Sequence, residues 1–125
     1  MKAAVLRQTG AKRPYATSQP IQIEEIDIDP PQPGELLVKI AGGGLSHSDL
    51  SVINGNRARP MPLVLGHEGS GEVVEVGAGV RDIKVGDPII FQFSASCGVC
   101  GNCLSGRPQL CETHDVARAK GHLMA

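Results

Sequence analysis

At 125 residues, with 12 basic against 13 acidic side chains and a formal net charge of -1, the chain fits one ordinary domain without electrostatic bias. No basic stripe stands out, and Tyr15, Phe91 and Phe93 are the only aromatics, so neither the charge footprint nor the stacking platform of a nucleic-acid binder is present. No stretch is long and apolar enough to span a bilayer, and the opening MKAAVLRQ is broken at Arg7, too early for a signal-peptide core. The expected setting is cytoplasmic, with thiols kept reduced.

Sixteen glycines and nine prolines without a repeat suit tight turns between short strands. Met1 to Arg7 reads as a first strand. Isoleucines alternating around Glu24-Glu25 predict a second over Ile21 to Ile28, with a bulge or register change. Asp29-Pro30-Pro31-Gln32-Pro33-Gly34 is a turn, because it can continue neither strand nor helix. Glu35 to Ala41 alternates as a strand, and Gly42-Gly43-Gly44 is expected to break it. Ser46 to Ile53 is the best short helix, capped by Ser46 or Ser48 with Leu50 and Ile53 on one face. After a Pro-rich loop around Arg59 to Pro62, strands are predicted at Gly71 to Val76 and Pro88 to Phe93, with Gly77-Ala78-Gly79 as a turn. The pattern describes a mostly-β, barrel-like domain with one short helix.

Ser94 to Glu112 shows little periodicity, and so long a structureless loop needs an organiser. It carries Cys97-x2-Cys100-x2-Cys103-x7-Cys111, with Gly98, Gly101 and Gly106 between the cysteines. Four thiolates suit tetrahedral zinc, and glycines let the backbone wrap the ion closely. A site with four cysteine ligands has no open position, so it is structural, and its binding energy is folding energy. An iron–sulfur cluster, paired disulfides or reactive thiols are the weaker readings of the same residues.

Gly66-His67-Glu68 follows the apolar run Leu63-Val64-Leu65 and precedes Gly69, Gly71 and Gly77. Taken singly, a His-Glu pair beside a strand is more often a surface or cap feature than a ligand. The whole string GHEGSGEVVEVGAGV, however, resembles the signature of the zinc-containing medium-chain alcohol dehydrogenases. AGGGLSHSDLSVINGN resembles that family's segment carrying the first catalytic-zinc ligand, and the cysteine loop resembles its structural-zinc lobe in spacing and order.

The resemblance covers essentially the whole chain and implies a GroES-like catalytic domain over 1–125, with its zinc lobe at about 94–113. The family's nucleotide-binding domain is not expected within these residues. The resemblance also implies oxidation of a small-molecule alcohol to an aldehyde or ketone, with hydride passing to NAD(P). His67 would be a catalytic-zinc ligand and Glu68 an alternate or outer ligand. Asp49 would hold the second nitrogen of His67. Ser48 would take the substrate proton, and His47 would meet the cofactor pyrophosphate. Phe93 falls where relatives often contact substrate, while Arg57 and His114 would instead make the entrance polar.

Two departures matter. Ser46 stands where the family has a cysteine zinc ligand; a neutral hydroxyl is a poor replacement for a thiolate, so the catalytic zinc site is expected to be crippled. Ser51 stands where many relatives carry a relay histidine. The leading expectation is a catalytic-domain fragment, inactive alone and homo-oligomeric when full length. A stand-alone zinc-binding GroES-like module and a zinc-free reductase relative are the alternatives.

Overall fold

The computed structural model describes residues 1–114, and strand outweighs helix. The chain builds two three-stranded antiparallel sheets. In the first, β1 (Lys2–Leu6) is central, pairing with β2 (Ile21–Glu25) from Lys2 opposite Glu25 to Leu6 opposite Ile21. On its other side, Val5 and Leu6 pair with Val64 and Leu63 of β4 (Leu63–Val64). Ala3, Val5 and Leu6 are buried. β2 stops short of the expected Ile28, because the five residues of β1 pair only as far as Glu25.

Two helical segments precede the second half of the fold. The single turn α1 (Tyr15–Ser18) was not expected; four residues after Pro14, with no side-chain cap, leave no periodicity to read. α2 (His47–Ile53) lies where the capping signal placed it, with Ser46 as its N-cap. Its inward residues Val52 and Ile53 join Leu6 in a small core, flanked by Tyr15, Ile21, Met61, Leu63 and Leu65. α2 is therefore fastened to the first sheet, and its first turn is held at a fixed place.

The second sheet runs β3 (Leu36–Gly43), β5 (Gly69–Val76), β6 (Pro88–Ile90). Gly42 and Gly43 do not break β3. They pair with Ser70 and Gly69 past an irregularity at Ile40/Gly42, since ladder hydrogen bonds outweigh a weak local propensity. β6 ends before Phe93: the Phe91 amide makes the last contact, to the Gly69 carbonyl at 2.8 Å, and β5 offers no residue beyond Gly69. Val73 is fully buried, whereas Leu45, Ile90 and Val99 are 99%, 84% and 77% exposed. Large apolar side chains thus line the surface, and the described core is thin.

The cysteine segment holds one turn of helix, α3 (Gly101–Leu104), and a 3-10 turn at Pro108–Leu110. The Gly77-Ala78-Gly79 turn forms as expected and latches onto the Pro-rich turn: Gly34 donates to the Ala78 carbonyl and Gly77 to the Glu35 carbonyl, both at 2.8 Å. A methyl group on Gly77 would collide with the Gln32 carbonyl and meet that of Glu35 at 2.9 Å. Gly79 has open space but a φ of 84°, which disfavours a side chain. Gly77→Ala is expected to destabilise the fold by about 2–3 kcal/mol and Gly79→Ala by about 1 kcal/mol, measured by urea unfolding. Equal effects would contradict the latch.

Candidate metal centres

The four cysteines are free thiols brought to one point by α3 and the 3-10 turn. Their Sγ atoms all lie within 4.8 Å of one another. Zinc–sulfur bonds of about 2.3 Å would set tetrahedral sulfurs about 3.8 Å apart, so the cluster is near that spacing before any ion enters. The Cys97 amide donates to Cys111 Sγ and the Cys100 amide to Cys97 Sγ, each at 3.4 Å, and Cys100 Sγ lies 3.4 Å from Cys103 Sγ. N–H donors aimed at sulfur favour thiolate. Cys97 is accordingly lowered to about 6, chiefly by the Val99 backbone N–H and then by the Thr113 side chain. Cys111 is lowered by the His114 backbone N–H, while desolvation first and the Cys100 side chain second push Cys103 up to about 11. Val99 and Thr113 are contributions no motif announced. Among the described residues no second group of His, Cys, Asp and Glu donors converges in this way.

The other expected site residues do meet, between the first turn of α2 and the loop joining β4 to β5. Ser46 Oγ accepts from the Ser48 amide at 3.3 Å, and Asp49 Oδ2 accepts from the Ser46 amide at 3.2 Å, a reciprocal capping box. Asp49 thereby keeps Oδ1 free to face His67 Nδ1 at 3.4 Å. His67 Nε2 lies 3.2 Å from Ser48 Oγ and 3.7 Å from Glu68 Oε1, and Ser48 Oγ is 3.1 Å from Ser46 Oγ. Phe93 stands edge-on to the imidazole, with ring centroids 6.1 Å apart and planes at 71°.

Glycine shapes this corner. The Gly44 amide donates to the Glu68 carbonyl at 2.9 Å, and a side chain on Gly44 would collide with the Glu68 carboxylate. His47 is exposed beside the site, and the Ser51 hydroxyl is turned back onto the His47 carbonyl at 3.1 Å. His114 does not join the cluster; its Nε2 is buried with no hydrogen-bond partner among the described residues. Arg57 donates its backbone N–H to the Ser51 carbonyl at 2.9 Å.

Residues 32–123 match the family model for the alcohol dehydrogenase GroES-like domain. The chain belongs to that family. It is 44% identical over 108 residues to an S-(hydroxymethyl)glutathione dehydrogenase from Synechocystis sp., covering 86% of this chain and 29% of that protein. A solved NAD-dependent alcohol dehydrogenase superposes with a TM-score of 0.78 at 33% identity, over 90% of this chain and 32% of that one. The cobalt- and zinc-bound thermostable alcohol dehydrogenase of Pyrobaculum aerophilum superposes with a TM-score of 0.77 at 31% identity, over 97% and 33%. The chain spans under a third of the curated relatives it matches, 27% and 29% of two of them.

In this alcohol dehydrogenase domain the four-cysteine cluster fits zinc by donor chemistry and spacing. Around His67 no thiolate is present: position 46 offers a hydroxyl that caps α2, and His67 Nε2 lies 3.2 Å from Ser48 Oγ. Among the described residues no helix is long and apolar enough to cross a membrane.

Loading zinc at pH 7.5 is expected to release about one proton or more per ion, because Cys103, pushed up to about 11, must become a thiolate. Zinc retention should fall as the pH is lowered, because protons compete with the ion for all four thiolates. Titration of the metal-free chain with zinc in weak buffer, read by a pH indicator, checks the first. Retention that is flat from pH 8 to 4 would contradict the second.

Proposed function

We propose that this chain is the catalytic domain of an alcohol dehydrogenase that oxidises a small-molecule alcohol to an aldehyde or ketone by hydride transfer to NAD(P). The isolated chain does not turn over, and it carries one structural zinc on Cys97, Cys100, Cys103 and Cys111. The observation that carries this reading is the meeting of Ser48, Asp49, His67 and Glu68 at one corner of a family-matched fold. The whole protein is cytoplasmic and homo-oligomeric, with neither nucleic acid nor membrane as partner.

NAD(P), when bound, supplies the hydride acceptor, and exposed His47 is the basic position that would meet its pyrophosphate. The proton is handled by the chain itself. Ser48 Oγ, 3.2 Å from His67 Nε2, takes the hydroxyl proton of the alcohol as its own proton moves to the imidazole. Asp49, 3.4 Å from the other ring nitrogen, fixes the ring and stabilises the imidazolium. Phe93 presents an apolar edge to that corner, suited to the carbon skeleton of an alcohol.

Ser46, His67 and Glu68 mark the position at which relatives of the resembled family hold a second zinc. A serine at position 46 removes one thiolate and one negative charge from it. A zinc-free reductase is the second reading, favoured by the serine hydroxyl at position 46 where the family has a thiolate.

Ser46→Cys distinguishes the two. In the full-length protein it is expected to raise zinc content and activity together, read by elemental analysis and NADH formation; no change in either supports the zinc-free reading. The unaltered chain mixed with NAD and primary alcohols is expected to form no NADH at 340 nm. Measurable turnover would overturn the claim that it is inactive alone.

A further inference from the structure

We propose that Asn102 is the positioning residue for Cys111, the cysteine that closes the metal lobe, and that both hydrogens of its side-chain amide are needed for this. The proposal rests on the reading of the four cysteines as a zinc site. The spacing shows where help is needed. Two residues separate Cys97 from Cys100 and Cys100 from Cys103, and these three are brought together by a tight turn and the single turn of α3. Seven residues separate Cys103 from Cys111, so this is the gap whose closure costs the most chain entropy.

Asn102 sits at the start of that gap, beside Cys103. Its Nδ2 donates to the Leu110 carbonyl at 2.9 Å and to Glu112 Oε1 at 3.1 Å, the residues on either side of Cys111. Both partners are acceptors with no hydrogen to offer. The amide can therefore present only its NH2 group there, and the orientation follows from chemistry. The backbone carbonyl of Asn102 meanwhile accepts from the Arg107 amide at 2.9 Å and the Ser105 hydroxyl at 3.0 Å, closing the turn over Gly106. One residue thus pins the near end of the gap through its backbone and the far end through its side chain.

Cys111 gains most from such a hold. It is 1% exposed, and its sulfur accepts the Cys97 amide at 3.4 Å, so a shift there would disturb the opposite end of the ligand set too. Asn102 is not a ligand: its NH2 group has no lone pair for zinc, and its role is to aim a residue that does bind.

The test follows zinc release from the zinc-loaded full chain into excess chromophoric chelator, for the wild type, Asn102→Ala, Asn102→Asp and Glu112→Ala. Asn102→Ala is expected to release zinc about tenfold faster, as residues behind metal ligands typically do when removed. Asn102→Asp, which replaces both donors with acceptors, should be at least as fast, and Glu112→Ala, which breaks one contact, about threefold faster. The cobalt-loaded chain supplies a spectroscopic readout: thiolate-to-cobalt bands should shift in Asn102→Ala and stay unchanged in Asn56→Ala, a polar truncation outside the lobe. Release at the wild-type rate in Asn102→Ala overturns the proposal while leaving the zinc site standing. If Asn102→Ala does not fold, a wild-type rate in Glu112→Ala overturns it. A wild-type chain that takes up no zinc overturns both the proposal and the reading beneath it.

Discussion

Four sulfur atoms drawn within 4.8 Å of one another are the constraint on which residues 94–112 depend. That stretch has one turn of α-helix, one 3-10 turn and almost no buried apolar side chain, so no hydrophobic core holds it. Val99 and Leu104, which would anchor it elsewhere, are 77% and 75% exposed. Metal–thiolate bonds would supply what burial does not, and the free energy of binding would become the free energy of local folding. Even Ser94 at its root is tied in by hydrogen bonding, donating to the Gln109 carbonyl at 3.3 Å.

The second centre is built on a different economy, in which a few polar atoms each serve twice. Asp49 uses one carboxylate oxygen to cap α2 and the other to face His67, so the aspartate that starts the helix also orients the imidazole. Because α2 is fastened through Val52 and Ile53 to Leu6, the core of the first sheet fixes where Ser48 and Asp49 stand. Gly42, Gly43 and Gly44 carry β3 up to the same corner and leave room for Glu68. Serine at position 46 fits this arrangement as a cap.

What could be read from the residues follows from how local each constraint is. The cysteine cluster was legible because ligand spacing alone encodes it. α2 was legible because a capping serine, Ser46 or Ser48, stands just before a short segment with Leu50 and Ile53 on one face. The glycine triplet was misread as a break because its fate depends on Ser70 and Gly69, nearly thirty positions downstream. The single turns α1 and α3 leave too few residues for a period to register. The relation of His67 to Ser48 and Asp49 came from family resemblance, since nothing in the spacing of nineteen residues between Ser48 and His67 points to a contact. Thr113 and the Val99 backbone, which help set the Cys97 thiolate, gave no signal, for a single polar side chain or peptide group carries no pattern.

The most direct measurement is zinc K-edge X-ray absorption on the purified chain, combined with elemental analysis. One zinc per chain in a shell of four sulfurs at about 2.3 Å is the predicted result, with no second ion bound at His67. A chain without zinc, or a shell containing nitrogen or oxygen, would contradict it.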